Sequence, residues 1–575
     1  MPPEKASKPQ STGRFVLMLH SHLPYYRKAG MWPFGEENLY ECIVETYLPL
    51  LNALYELRAE GIKAGVTVGI TPILAEQLAD EYLKKGAQTY IEHLVEVSQK
   101  DVARYPDKSV PNSEHLAYEA KFYLEHYSKL LDEYLNVYKQ DILGAFKTLQ
   151  DEGCIEITTS AATHGFLPLL GNDEAVAGQV KTGVEAYKRH FGKAPKGIWL
   201  PECAYRPAKD DRPPIEAFLF DEGINYFFTE FEAIEGSELS EERRDIGGVY
   251  RNVKYVPTQL KKQGKTGLTT YEAYWLKNYP VAVLGRSERG SFQVWSAAYG
   301  YPGDGIYREF HKKDNTSGLN YWRITSKNCE LGDKMLYDPL QAFARATEHA
   351  KHYVELIERL ARENFDANGE EGLLMVSFDT ELYGHWWFEG LQFLKDVIRG
   401  LHKLDTVTVQ TVSDYLEDIP PKNAIDLPES TWGMGGHYWV WDNDTTHWMW
   451  PIIHDAENKM KQLREKFLDE KDALKIRALN QAYRELLLLE GSDWPFLVTT
   501  KQAKDYAVER FTQHVENFNA LATPLLEQGV ADEPLLERLE EKNNAFPNLD
   551  YRWFVHQPKA DHKTADKPKA VSVRS

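Results

Sequence analysis

Uninterrupted apolar runs, separated by helix-periodic and polar stretches, set the first reading of this chain. Phe15-Val16-Leu17-Met18-Leu19 is apolar without alternation, as expected of a strand buried on both faces. Comparable runs predict strands at residues 65–70, 155–159, 197–200, 226–229, 281–284, 373–378 and 407–412. Helical periodicity lies between several of them, at 43–60 and 340–362. Strand-helix alternation implies a parallel sheet, either open or closed into a barrel. The barrel is the better reading, because polar signals recur just after the strands, where barrel sites are built.

Two stretches break the alternation. Residues 78–150 are helical and rich in Tyr, Leu, Glu and Lys, which predicts a helical insertion. From about residue 455 the pattern is almost wholly helical, with runs at 474–490, 503–521 and 535–541. The expected organisation is a disordered N-terminus at 1–12 and an α/β barrel at 13–415. A C-terminal all-helical domain with a Trp-rich loop at 416–556 and a disordered tail at 557–575 follow.

Composition narrows the function classes. At 575 residues two or three packed units are expected, and 12% aromatic content is on the rich side. A formal charge of −20 argues against nucleic acid and anionic membranes as partners, since phosphates need clustered Lys and Arg. It suits a neutral ligand. The polar residues 1–13 lack the apolar core of a secretion signal, and no run approaches a membrane span. Cys42, Cys154, Cys203 and Cys329 are scattered without metal or disulfide spacing, so reduced thiols and a cytoplasmic location are expected.

The candidate chemistry gathers at strand ends. Glu202 follows Trp199-Leu200-Pro201, and Asp379 and Glu381 follow Val376-Ser377-Phe378. Two carboxylates brought to one rim from distant parts of a chain are the minimal equipment for cleaving a glycosidic bond. A surface ion pair of Glu202 with Arg206 is the plainer alternative, and Trp199 and Tyr205 beside it count against that. Asp379 and Glu381 alternate on an extended segment and face one way; only one need be catalytic.

His20 and His22 follow the first strand and point alike, either to hydrogen-bond sugar hydroxyls or to ligate a metal. His164, after another strand, joins them. The Gly-rich stretch with Trp432, Trp439, Trp441, Trp448 and Trp450 reads as exposed rings that stack on glucose units, or else as an interdomain interface. Asp493, after a helix, is placed to reach back to the barrel mouth.

Together these residues resemble glycoside hydrolase family 57, and within it the 1,4-α-glucan branching enzymes. The resemblance runs from about Phe15 to Phe554. It rests on His20-Ser21-His22-Leu23-Pro24-Tyr25, Thr163-His164-Gly165, Trp199 to Tyr205, Phe378 to Trp387, and Ser492-Asp493-Trp494. It implies a distorted (β/α)7 barrel with Glu202 as nucleophile and Asp379 as general acid/base in a retaining double displacement, without metal or cofactor. It also implies substrate-binding roles for His20, His22, His164, Trp432, Trp441 and Asp493, to which the residue reading adds Trp199. Branching enzymes of the family carry a tyrosine on a loop after the nucleophile. Here the corresponding region is 231–279, and Tyr250 and Tyr255 are the candidates.

The implied partner is an α-glucan such as amylose, glycogen or a starch-like polymer, with a monomer and a homodimer both open. Hydrolysis or 4-α-glucanotransfer are the alternatives within the family. A metal-dependent hydrolase or deacetylase built on His20, His22, His164 and Asp379 is a remoter one, and a non-catalytic glucan-binding protein another.

Overall fold

The computed structural model describes residues 11–107, 109–236, 266–296 and 299–558. Ten strands occur among them: β1 (Gly13–Ser21), β2 (Val66–Ile70), β3 (Ile155–Ser160), β4 (Ile198–Trp199), β5 (Tyr226–Thr229), β6 (Ala273–Leu276), β7 (Ala282–Gly285), β8 (Gly372–Asp379), β9 (Val407–Val409) and β10 (Ala424–Ile425). β1 is central. It pairs in parallel with β8 from Gly13 to His20 on one edge, and with β2 from Leu17 to Ser21 on the other. β2, β3 and β4 continue the parallel array, and β5 pairs in parallel with β7.

Two seams complete a ring. The Asn225 N–H donates to the Lys196 carbonyl at 2.8 Å, joining β4 to β5. The Ser287 N–H donates to the Met375 carbonyl at 2.6 Å, joining the end of β7 to β8. The result is a (β/α)7 barrel in the order β1-β2-β3-β4-β5-β7-β8, distorted where single hydrogen bonds replace ladders. The run at 407–412 forms only the short β9, which shares an edge of β1 with β2 before the chain turns into the helix Val412–Asp418.

The continuous apolar strands bury both faces. On β1, Val16 and Met18 join Trp199, Phe228, Leu284 and Met375 in a small cluster inside the barrel. Phe15, Leu17 and Leu19 pack outward under the helices. Strand alternation carries this inward row on to His20 and His22. On β8 the same parity runs from Leu373 and Met375 to Asp379. His20 and Asp379 sit side by side in register, each at the open end of an inward row.

The helices Glu81–Arg104 and Ser113–Asp132 pack against each other in the insertion. A π-helical turn, Ile43–Tyr47, precedes the helix Leu48–Ala59. Beyond the barrel, helices Met449–Lys466, Ala473–Leu489, Asp493–Thr500, Lys504–Gln528 and Glu533–Lys542 share one core with Phe166, Leu167 and Tyr205 of the barrel. Among the described residues no helix is long and apolar enough to cross a membrane. All four cysteines are free thiols.

Candidate active site

A cavity of about 640 Å³ opens at the strand ends between the barrel and the C-terminal helices. Glu202, Asp379 and Glu381 line it together with His20, His22, His164, Trp432, Trp441 and Asp493.

Glu202 lies in the 3-10 turn Pro201–Cys203 that ends β4, at φ 62 and ψ 24. This left-handed conformation is uncommon for a residue with a side chain, and the surroundings must hold it. They do. The Thr431 hydroxyl and the Trp432 N–H donate to its carbonyl at 2.7 and 3.1 Å. The Trp432 indole donates to Oε2 at 2.7 Å and the Ser492 hydroxyl bonds Oε1 at 3.1 Å. Burial pushes Glu202 up to about 7, while the Trp432 and Ser492 bonds and nearby His22 oppose the rise.

Asp379 has the contrasting environment. Burial, then the charges of Glu381 and Glu202, push its carboxyl well above the usual carboxylate range, against the pull of Arg286. Glu381 takes the Tyr47 hydroxyl on Oε1 at 2.5 Å, and burial raises it to about 7. Three carboxyls thus share one desolvated space. Glu202 is furnished with donors that favour its anion, and Asp379 with neighbours that favour its acid.

The histidines form a stack. His22 and His164 lie 3.8 Å apart at 17°, and His20 packs on Trp199 at 4.8 Å. His20 Nε2 and His164 Nε2 are 3.1 Å apart, and His164 Nδ1 is 2.8 Å from the Ser492 hydroxyl. One proton assignment satisfies this line: His20 Nε2–H donates to His164, His164 Nδ1–H to Ser492, and Ser492 to Glu202. Burial holds His20 and His164 well below the ordinary imidazole range, with His22 adding to the effect. His22 differs: burial lowers it, but the Asp493 carboxylate at 3.1 Å overcomes this and raises it. Among the described residues no three His, Cys, Asp or Glu side chains are grouped to hold a metal ion.

The remaining site candidates divide. Trp432 and Trp441 line the cavity, although Trp441 is 1% exposed and packs on Phe166. Trp450 is likewise buried, its indole donating to the Trp441 carbonyl, so these two rings belong to the interdomain interface; Trp448 is half-exposed. The Gly-rich loop that carries Trp441 is covered by the C-terminal helices, which local sequence does not reveal. Trp199 does not line the cavity; it supports His20 from inside the barrel. Tyr250 and Tyr255 lie outside the described residues. Residue reading missed Ser492, Arg286 and Tyr47. Ser492 stood beside a named Asp493, but Tyr47 sits in an apolar helical pattern and gives no signal.

The loop after Asp379 is fixed by the π turn. Consecutive residues of that turn all reach it: Glu45 bonds His385 Nδ1 at 3.0 Å, the Thr46 hydroxyl accepts the His385 N–H at 3.2 Å, and Tyr47 holds Glu381. A regular α-helix would spread three successive side chains over most of its circumference.

The family model described as "Glycosyl hydrolase family 57" matches residues 16–428, and one described as "1,4-alpha-glucan branching enzyme, C-terminal" matches 452–554. The 1,4-alpha-glucan branching enzyme TK1436 of Thermococcus kodakarensis is 44% identical over 549 residues, 93% of this chain and 77% of that protein. Its crystal structure aligns with a TM-score of 0.86 over 98% of this chain and all of that one, at 42% identity. A branching enzyme from Pyrococcus horikoshii follows at 0.83 and 39% identity, covering 97% and 100%. The α-amylase AmyC of Thermotoga maritima aligns at 0.80 and 31% identity, covering 95% and 99%. With the barrel matched from its first strand to its last, the chain belongs to glycosyl hydrolase family 57.

Proposed function

We propose that this protein is a 1,4-α-glucan branching enzyme, with Glu202 as nucleophile and Asp379 as general acid/base. The carrying observation is that the segment matching the branching-enzyme C-terminal model supplies Ser492 to Glu202 and Asp493 to His22. Protonated Asp379 gives its proton to the glycosidic oxygen while Glu202 attacks the anomeric carbon. The C–O bond to the leaving chain breaks, and a covalent glycosyl-enzyme forms. Asp379, now ionised, takes the proton of an acceptor 6-hydroxyl, whose oxygen displaces Glu202 and closes an α-1,6 bond. The histidine stack holds Ser492 against Glu202, and Trp432 flanks the sugar rings. The product is a branched polymer of glycogen type. Free thiols fit a reducing compartment and so a cytoplasmic location. We divide the chain into a barrel at 13–415 with its insertion at 78–150, and a helical domain at 416–556.

A second reading, α-amylase-like hydrolysis, is favoured by the likeness to AmyC. It differs only in that water replaces the acceptor hydroxyl. Proton NMR of amylose incubated with the protein separates them. New α-1,6 anomeric signal with few new reducing ends supports branching; reducing ends alone establish hydrolysis.

A further inference from the structure

The hydrogen-bonded line that ends on Glu202 is carried by two backbones. One is the turn Thr163-His164-Gly165 beyond β3; the other is Glu490-Gly491-Ser492, between two C-terminal helices. They meet directly: the Ser492 N–H donates to the His164 carbonyl at 3.0 Å, and Gly165 and Gly491 form an antiparallel bridge. One buried side chain reaches both. Gln179, on the helix Asp173–Phe191 and 0% exposed, accepts the Thr163 N–H on Oε1 at 3.1 Å. Its Nε2 donates to Thr163 Oγ1 at 2.9 Å and to Glu490 Oε2 at 2.7 Å. The Thr163 hydroxyl in turn donates to the carbonyl of Leu487, on the helix that Glu490 ends. A Cβ on Gly165 would lie 3.0 Å from Gln179 Nε2 and 3.3 Å from the Glu490 carbonyl, so the turn after His164 rests on this clamp. His164 itself has φ 58, a conformation its surroundings must hold.

The clamp is neutral at its centre. Glu490 is 1% exposed, and its Oε1 has no hydrogen-bond partner among the described residues. Burial raises Glu490 above the usual carboxylate range, with the Gln179 bond opposing; burial and then Glu490 raise the neighbouring Glu457 likewise. An amide paired with a protonated acid bonds without leaving an unpaired charge in the interface. Neither Gln179 nor Glu490 lines the catalytic cavity, so any effect on the reaction must pass through His164 and Ser492.

We infer that Gln179 and Glu490 are positioning residues for the attack by Glu202: they hold the His164 and Ser492 backbones at the separation that lets the Ser492 hydroxyl donate to Glu202. The two bonds at stake, His164 Nδ1 to Ser492 at 2.8 Å and Ser492 to Glu202 Oε1 at 3.1 Å, do not survive a displacement of about 1 Å. The assignment rests on Glu202 as nucleophile, as proposed above, and adds two residues that act on it at a distance.

The test is a double-mutant cycle on the full chain, read in the acid limb of the kcat/KM–pH profile for fluoride release from α-maltotriosyl fluoride. Gln179→Met fills the same space and makes none of the hydrogen bonds. Loss of the Ser492 donor disfavours the Glu202 anion, so the limb should move up by about half a pH unit or more. Ser492→Ala should move it comparably, and the double variant no further than Ser492→Ala alone. Should Gln179→Met fail to fold, Glu490→Leu should give the same displacement, with Glu490→Gln, which keeps an oxygen for Gln179, closer to wild type. A limb unmoved in a folded Gln179→Met protein would overturn the inference and leave the clamp a packing role only. So would a limb indifferent to Ser492→Ala, or displacements that add in the double variant. A wild-type protein that releases no fluoride would instead sink the proposed function, and this assignment with it.

Discussion

The indole N–H of Trp432 donates to Oε2 of Glu202 at 2.7 Å, while the backbone N–H of Trp432 donates to the Glu202 carbonyl at 3.1 Å. A single residue thus fixes both the strained backbone of Glu202 and the ionisation of its carboxylate. Removing the indole donor withdraws a bond that favours the anion. Trp432→Phe should therefore raise Glu202 further above about 7. The acid limb of the kcat/KM–pH profile should move to higher pH, and kcat/KM at pH 6 should fall about tenfold, the scale of one charge-assisted hydrogen bond. An unmoved acid limb would show that Trp432 serves only the sugar.

The assigned roles of the two carboxylates give opposite stereochemistry under rescue. With an α-glycosyl fluoride donor, Glu202→Ala should lose on the order of 10⁴-fold in kcat. Azide should restore turnover as the β-glycosyl azide, since the anion attacks directly. Asp379→Ala should be rescued through the covalent intermediate, giving the α-azide. Product anomers read by NMR check the assignment, and interchanged anomers would reverse it.

Glu381 contributes charge beside Asp379. Its carboxylate is among the groups that raise Asp379, so Glu381→Gln should lower Asp379 and let its proton go at lower pH. The basic limb of the kcat/KM profile should move down by about one pH unit, with the amide oxygen still accepting from Tyr47. Tyr47→Phe leaves the charge and loosens the loop, which should lower kcat without that displacement. A basic limb indifferent to Glu381→Gln would remove Glu381 from the proton balance.

The His22–Asp493 pair ties pH to the docking of the C-terminal helices. The folded protein raises His22 above its ordinary value, chiefly through Asp493 working against burial. Stability from this pair is therefore fully present below about pH 6.5 and is lost as pH rises through the folded value. Asp493→Asn should cost on the order of 1 kcal/mol at pH 5.5 and markedly less at pH 9. Thermal unfolding of both proteins across that range measures it. A difference that grew with pH would contradict the assignment.

Gly384 has φ 107, and a Cβ there would lie 1.8 Å from the Glu45 carbonyl oxygen. Gly384→Ala must part the π turn from the loop that follows Asp379. A loss on the order of 3 kcal/mol in stability is expected, with kcat falling more than KM rises. Calorimetry and steady-state kinetics report the two effects separately.

The readability of the fold followed burial. β1 and β8 are covered on both faces, so their sequences are uninterrupted apolar runs, and the polar residue that ends each run marks the barrel mouth. β6 and β10 escaped notice because Ala273–Leu276 and Ala424–Ile425 are short and flanked by charge. At the site, Glu202, Asp379 and the histidines were legible because strand ends concentrate them. Ser492 and Tyr47 were not. Their roles arise from contacts 290 and 334 residues away in the chain, which leave no local periodicity. The two readings of the Trp-rich stretch divide by residue: Trp441, in the loop, is buried against Phe166 and Phe496, and Trp450 lies within the helix Met449–Lys466, contacts that local sequence does not reveal.

The donor to Oε1 of Glu202 and the counter-ion of His22 are adjacent residues in the last fifth of the described chain, while Glu202 and Asp379 belong to the barrel. A polypeptide interrupted before those helices would carry Glu202 and Asp379 and yet lack one donor to the Glu202 carboxylate and the counter-ion of His22. Activity is therefore expected to report the docking of the C-terminal helices as well as the folding of the barrel.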